Sequence, residues 1–397
     1  MLCLIGFDDD KVIKDFIRIH AELLPGEKIC LSGSFPDFQF QGQNVRKLFQ
    51  QPAWRRRLGS LLPYAITCRR LLNLQNSSLA INHALVRFLH RKQITAILAE
   101  FGNAGASIAP VAELAGIPLV VHFHGHDAHR NSLLTPDLRL QYRNMFRSAT
   151  AVLGVSRAMI QALLELGCPP EKLIYNPYGP RDKFFEITPD YRPTVLSVGR
   201  FTDIKANYLV LMAFQQALRH VPHARLVMVG NGELLETCKT LAAVWGLQHA
   251  VDFPGAVEHA RVHELFAQAC CFAQHSVVPS YGDAEGTPNT ILEASAAALP
   301  VIATRHAGIP DVVLHEVSGL LVAERDVEGM AMAMVRVLKD PELARALGTA
   351  ARSRIRNCFS SSAHIARLNK AIQLSRHRDV QGIAALAAES MLAGTPQ

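Results

Sequence analysis

A chain of 397 residues, 49% hydrophobic and 19% charged, carries enough apolar material for two large cores. It has no uncharged apolar run of about 18 residues, which argues against a membrane-spanning helix. Its eight cysteines lack CxxC spacing, so they read as buried thiols of a reducing compartment and not as a zinc or disulfide framework.

The opening "MLCLIGF" reads as a first strand, and the acidic turn Asp8 to Asp10 behind it is unlike a signal peptide. Charge is unevenly placed: residues 1–190 hold 22 basic and 16 acidic residues, net +6 of the chain's +7. Phe38 to Ala99 contains ten basic residues and no acid, with Trp54 and Leu71 among Arg55 to Arg57, Arg69 and Arg70. Such a stretch, 46–92, is either a solvated basic face or a peripheral contact with anionic headgroups. No nucleic-acid motif accompanies it, so no nucleic-acid partner is expected.

Further on, short apolar runs alternate with helical stretches, the pattern of parallel βα units. "TAILAEFG" (95–102), "IPLVVHFHG" (117–125) and "ATAVLGVS" (149–156) read as strands, with "AMIQALLELG" (158–167) as a helix. After a Pro- and charge-rich linker near 180–193 the series restarts with "TVLSVGR", "ARLVMVGNG", "CCFAQHS" and "LPVIATRHAG". "AGIPLVVHFHG" and "AALPVIATRHAG" share one pattern, which predicts two similar halves, each a doubly wound α/β domain. Ligands of such sheets bind beyond the carboxyl ends of the strands, so both sets of loops would face one cleft.

Those loops carry the candidate chemistry. "EFGNAG" places Gly102 after a strand, and "HFHGHDAHR" supplies His122, His124, His126, Asp127 and His129. A neutral imidazole there could bond a sugar hydroxyl or polarise a reacting group, while the spacing matches no zinc motif, so no metal is expected. "VGRFTDIK" puts Gly199, Arg200 and Lys205 between a strand and a helix, a fork and a point charge for phosphate oxygens. In "GDAEGTPNTILEAS", Thr287 can cap a helix with Pro288 as its first residue, and Gly286 permits close approach. The first-turn amides from Asn289 onward form an anion site. Glu285 and Glu293 stand roughly 10 Å apart on helical rise, too far for a retaining hydrolytic pair. They are two contacts on one extended ligand, or else a dipole complement and a solvated helix residue. Two cations at the same sheet edge favour the ligand.

These residues resemble the retaining GT-B glycosyltransferases of family 4. The resemblance is strongest over about residues 149–355, on "GVSRAM", "NPYGPRDKF", "VGRFTDIK", "EGTPNTILEAS", "PVIATRHAGIPD" and "SGLLVAERD". It implies two Rossmann-like domains: residues 1–185, with a helix at about 365–397 returning to them, and a nucleotide-sugar domain 186–364. It also implies transfer of a hexosyl unit from a nucleotide diphosphate sugar, UDP favoured over GDP, to a saccharide or lipid-linked acceptor. That places the protein in cell-surface polysaccharide or glycolipid synthesis, in the cytoplasm or peripherally on the inner membrane face. No cofactor or metal is implied. Arg200 and Lys205 would hold the diphosphate, Glu285 the sugar hydroxyls and Glu293 the ribose, with His124 near the reacting centre. Gly199, Gly286, Thr287, Pro288 and Asn289, with Gly102 and Asp127, complete the implied donor contacts. The chain departs from the family pattern at Ala206 and Ala298, where glycine is usual, and "IGFDDD" lacks the paired glycines after the first strand. The alternatives are an epimerase or hydrolase on the same fold, turning over donor without acceptor, and a non-catalytic nucleotide-sugar-binding protein.

Overall fold

The structure, a computed structural model, describes residues 1–7, 15–33, 37–45 and 78–392. Of the basic stretch 46–92 only its last part is therefore described. There the helix Ser78–Arg91 buries Leu85, Phe88 and Leu89 and exposes Arg87 and Arg91. That is the division of an amphipathic helix whose apolar side joins the core. Residues 46–77, where the lipid-contact reading mainly falls, lie outside the described residues.

Two sheets organise the chain. The first contains β1 (Leu2–Phe7), β2 (Lys28–Ser32), β3 (Gln39–Phe40), β4 (Gln43–Asn44), β5 (Ala96–Glu100), β6 (Leu119–Phe123), β7 (Ala151–Gly154) and β8 (Leu173–Tyr175). Their order is β4-β3-β2-β1-β5-β6-β7-β8, parallel except for the short β3 and β4 at one edge. The second contains β9 (Thr194–Val198), β10 (Arg225–Val229), β11 (Val251–Gly255), β12 (Cys271–Gln274), β13 (Val301–Thr304) and β14 (Gly319–Val322). Their order is β11-β10-β9-β12-β13-β14. Every residue of β5, β6, β7 and β12 is buried, as helices on both faces of a parallel sheet require. This is the expected pair of Rossmann-like domains.

All the strands expected from the sequence form. β2, β3, β4, β8, β11 and β14 were not anticipated: β3 and β4 are two residues long and β8 three, and β11 contains Pro254, tolerated because β11 is an edge strand. The repeated pattern is also real. β6 and β13 occupy equivalent places, each second from the strand at which its sheet reverses direction of winding. The chain does not end on the second sheet. Helices Ser361–Arg376 and Val380–Leu392 lay Leu368, Ile372 and Leu386 against Leu4, Leu98 and Leu153 of the first.

Ala206 and Ala298, which stand where the family uses glycine, both adopt left-handed backbone, with φ of 39° and 58°. An L-residue there costs about 1–2 kcal/mol. At Ala206 burial of the methyl against Leu209 and Val277 offsets part of that cost. The turn geometry is thus kept although the residue has changed.

Candidate active site

The crevice beyond β9 and β12 is where the second sheet reverses its winding, and the sequence's strongest loops meet there. The loop after β9 carries Arg200 and Lys205, and the loop after β12 carries Glu285. Lys205 Nζ lies 2.8 Å from Glu285 Oε1, both side chains about one-seventh exposed. Ser276 Oγ donates to the same carboxylate oxygen at 3.3 Å. Gly199 lies under the Lys205 stem, 3.8 Å from Cε to a Cβ built there. Arg200 is exposed and makes no side-chain hydrogen bond or ion pair among the described residues.

The helix that carries Glu293 begins at Asn289, with Pro288 in the cap position and no side-chain cap. Thr287 is therefore not the cap expected of it. Its hydroxyl donates to the carbonyl of Val155 in the other domain. The first-turn amides are left without a side-chain acceptor, as an anion site requires. Glu293 lies a turn further on, lining a cavity of about 240 Å³ with Val198, Asn289, Thr290, Tyr178 and His364. The two glutamates thus address different places, one at the lysine and one in the interdomain cavity.

Gly286 is fixed by contact. A Cβ there would stand 2.4 Å from the His124 carbonyl oxygen and 2.7 Å from Val155 Cγ2. Behind it, a Cβ on Gly308 would stand 1.9 Å from the Gly286 carbonyl oxygen. Backbone lies on backbone across the domain boundary, and Asn131 N donating to the Tyr281 carbonyl at 2.9 Å extends the seam.

His306, which the sequence reading passed over, holds the Glu285 loop from the other side. The Glu285 amide donates to His306 Nε2 at 3.1 Å, so that nitrogen carries a lone pair and the ring proton sits on Nδ1. Nδ1 donates to Glu324 Oε1 at 2.6 Å, and Glu324 Oε2 accepts from the Val278 amide at 2.9 Å. Burial opposes ionisation of Glu324, but the Val278 amide and His306 outweigh it and hold the carboxyl below its usual range. The signal was present in the repeat: His306 follows β13 as His124 follows β6.

In the first domain the expected donor contacts are arranged differently. Asp127 is fully buried, its carboxylate accepting from the amides of Gly102, His124 and Gly125 at 2.9, 3.0 and 2.9 Å. It clamps two strand-end loops together, and its lone pairs are taken by backbone. A Cβ on Gly102 would fall 2.0 Å from the Phe123 ring, so this glycine serves packing. The His124 ring is also committed. Nε2 meets Glu100 Oε2 at 2.8 Å, and Nδ1 accepts from the Tyr178 hydroxyl. Burial lowers its pKa despite Glu100, so the ring is neutral with its proton on Nε2. What His124 presents toward the Glu285 loop is its peptide.

Two facing Rossmann-like sheets with strand-end loops meeting at one seam define the GT-B architecture. Comparison with known proteins agrees. A model of glycosyl transferases group 1 matches residues 180–354, and one of a glycosyl transferase 4-like domain matches residues 30–179. A GDP-mannose-dependent alpha-(1-6)-phosphatidylinositol monomannoside mannosyltransferase of Mycobacterium tuberculosis is 34% identical over 268 residues, 64% of this chain and 69% of that protein. The putative colanic acid biosynthesis glycosyltransferase WcaL of Escherichia coli K12 is 31% identical over 243 residues, a match spanning 59% of each chain. The solved structure of Anabaena HepE in complex with UDP superimposes with a TM-score of 0.71 at 18% identity, covering 94% of this chain and all of that one. Sucrose-phosphate synthase of Thermosynechococcus elongatus gives 0.69 at 19%, covering 96% and 99%. The chain belongs to the group 1 glycosyl transferases, GT-B family 4.

Two substitutions test the seam. Gly286→Ala should push the domains apart and lower kcat/KM at least about tenfold, roughly 1.4 kcal/mol. Thermal unfolding should move by only a few degrees, since each domain keeps its core; unchanged kinetics would show that the contact is slack. His306→Ala should cost about tenfold in kcat/KM and His306→Gln, which offers an amide oxygen in place of Nε2, should recover most of it. Equal losses in the two variants would remove His306 from the support of Glu285.

Proposed function

We propose that this protein transfers a hexosyl unit from a nucleotide diphosphate sugar to a hydroxyl of a saccharide or lipid-linked saccharide, with retention at the anomeric carbon. The observation that carries the reading is the Lys205–Glu285 pair at 2.8 Å, set in the crevice at the second sheet's switch point. A cation and a carboxylate on adjacent strand-end loops suit a ligand with phosphate at one point and hydroxyls at the next. The first-turn amides from Asn289 add fixed donors, and Arg200, exposed on the loop of Lys205, a mobile one.

Breaking the bond from sugar to diphosphate builds negative charge on the leaving oxygen. Lys205, Arg200 and the helix amides would meet that charge, the amides without reorganising. Glu285, held at its amide by His306, would bind sugar hydroxyls, and Glu293, in the interdomain cavity, the ribose. His124 is a positioning residue in this scheme, its ring anchored and its peptide packed on Gly286. The leaving phosphate oxygen takes the acceptor's proton on the same face, so neither a protein base nor a metal enters the step. The donor base is one arm of the test, because the mycobacterial relative is named for GDP-mannose and HepE was solved with UDP.

The deciding experiment is nucleotide release from UDP- and GDP-sugars with and without saccharide acceptors. Release that needs acceptor supports transfer. Equal release without it favours the hydrolase reading, and none with any donor favours a binding protein. Lys205→Ala should lower kcat/KM by about 10²–10³-fold while leaving the fold intact; matched losses of activity and thermal stability would deny Lys205 this role.

Acceptor supply bears on the basic stretch. No helix among the described residues is long and apolar enough to cross a membrane. We propose that residues 46–77, with Arg55 to Arg57 beside Trp54, hold the enzyme weakly to anionic lipid. Sedimentation with vesicles containing phosphatidylglycerol should show binding that disappears at high salt, and no binding to neutral vesicles. Salt-insensitive behaviour or no binding at all would leave the stretch a solvated face.

A further inference from the structure

Beneath the cleft, the first domain holds a polar cluster that the proposed transfer does not use. His20 comes from helix Asp15–Leu23, Glu100 from the end of β5, His122 from β6 and His364 from helix Ser361–Arg376. All four are buried, the first three completely. His20 Nδ1 lies 2.7 Å from Glu100 Oε1, His20 Nε2 lies 2.8 Å from His364 Nε2, and His364 Nδ1 lies 2.9 Å from the Pro177 carbonyl.

The hydrogens of this chain can be counted. A carbonyl only accepts, so His364 Nδ1 must carry hydrogen, and the nitrogen–nitrogen contact needs one more between the rings. A third lies between His20 and Glu100. Two neutral imidazoles supply two hydrogens, so the chain of contacts needs one more hydrogen, at the place beside Glu100 that a metal ion could take.

His122 is the member this network leaves out. Among the described residues neither of its ring nitrogens has a hydrogen-bond partner, although the ring is fully buried. Nδ1 stands 3.7 Å from Glu100 Oε2, and the ring stacks on His20 at 5.3 Å between centroids. A buried imidazole whose two nitrogens both lack a protein partner is costly, and such groups normally have one. Burial keeps it far below the usual histidine range, with a lone pair available.

We propose that His20, Glu100 and His122 form a divalent metal site, suited by its ligands to zinc, which fastens the first helix to the strand ends under the cleft. Each of the three offers a ligating atom, all within 4.8 Å of one another. Two imidazoles and one carboxylate are a zinc ligand set, and bond lengths near 2.0–2.1 Å put tetrahedral ligands about 3.3 Å apart. The His20–Glu100 contact therefore opens by a few tenths of an ångström. One Zn²⁺ enters and the extra proton leaves to solvent, with no change of oxidation state. His20 and His364 also line the 240 Å³ cavity, which gives the ion a way in. His364, bonded to His20, becomes an outer partner that ties the returning helix Ser361–Arg376 to the site. The ion is structural, and the transfer step stays free of metal.

The test uses the tag-free full chain after dialysis against metal-free buffer. Elemental analysis should find about one zinc per chain, and His122→Phe should reduce it at least about tenfold. The wild-type Tm should fall by several degrees with a strong chelator and recover with zinc but not magnesium, whereas the variant should respond to neither. Should His122→Phe fail to fold, cobalt(II) loading of the wild type decides instead, through tetrahedral visible bands that one equivalent of zinc abolishes. Wild-type protein with under about a tenth of an equivalent of metal after zinc-supplemented expression, and a Tm indifferent to zinc and chelator, overturns the site. The cluster would then hold a proton only.

Discussion

The active arrangement depends on a strip of backbone that has no room for side chains. Gly286 lies between the His124 carbonyl of the first domain and Gly308 of its own, and at either contact a Cβ would approach to within 2.4 Å or less. Because the peptides touch, the Glu285 carboxylate has one place to stand, beside Lys205. An interdomain contact made of side chains could slide by an ångström as rotamers change, whereas peptide against peptide cannot. That rigidity holds the loop of Glu285 in one place relative to both domains.

The near-repetition of the two halves explains why histidines appear on both sides of this strip. β6 and β13 hold equivalent positions in their sheets, and each is followed by a histidine that bonds a glutamate. Their duties then diverge. His306 offers a ring nitrogen to the Glu285 amide, while His124 turns its ring inward to Glu100 and Tyr178 and offers only its peptide. One inherited strand-end geometry thus supports the same loop from two directions, once through a side chain and once through backbone.

What could be read from the sequence follows the range of the interactions. The parallel strands, the loops at their carboxyl ends and the convergence of Lys205 with Glu285 were legible, because hydrophobic runs and glycine turns are local signals. Asp127 and Gly102 have a structural duty that the sequence did not show: a polar loop suits a ligand and a backbone clamp equally well, and only the three amides around Asp127 reveal the clamp. Thr287 was misassigned by the same ambiguity, its hydroxyl having a partner across the domain boundary that no local pattern reveals. His20 and His364 were invisible, since 344 positions separate two rings whose nitrogens lie 2.8 Å apart.

That last contact gives the returning C-terminal helices more than a packing role. Apolar residues such as Leu368 and Ile372 would hold helix Ser361–Arg376 against the first sheet without specifying its register. A buried imidazole pair does specify it, because sliding the helix by one residue would rotate His364 away and leave His20 and Glu100 uncompensated in the core. The helix leaves the second domain at Cys358 and fixes itself to the first at His364, so only a short link separates the two attachments. The Ser361 hydroxyl adds a contact within that link, donating to the Gly179 carbonyl at 2.9 Å on the extended segment that leaves the first domain. Both chain crossings are therefore tied to each other beside the cavity that Glu293 lines.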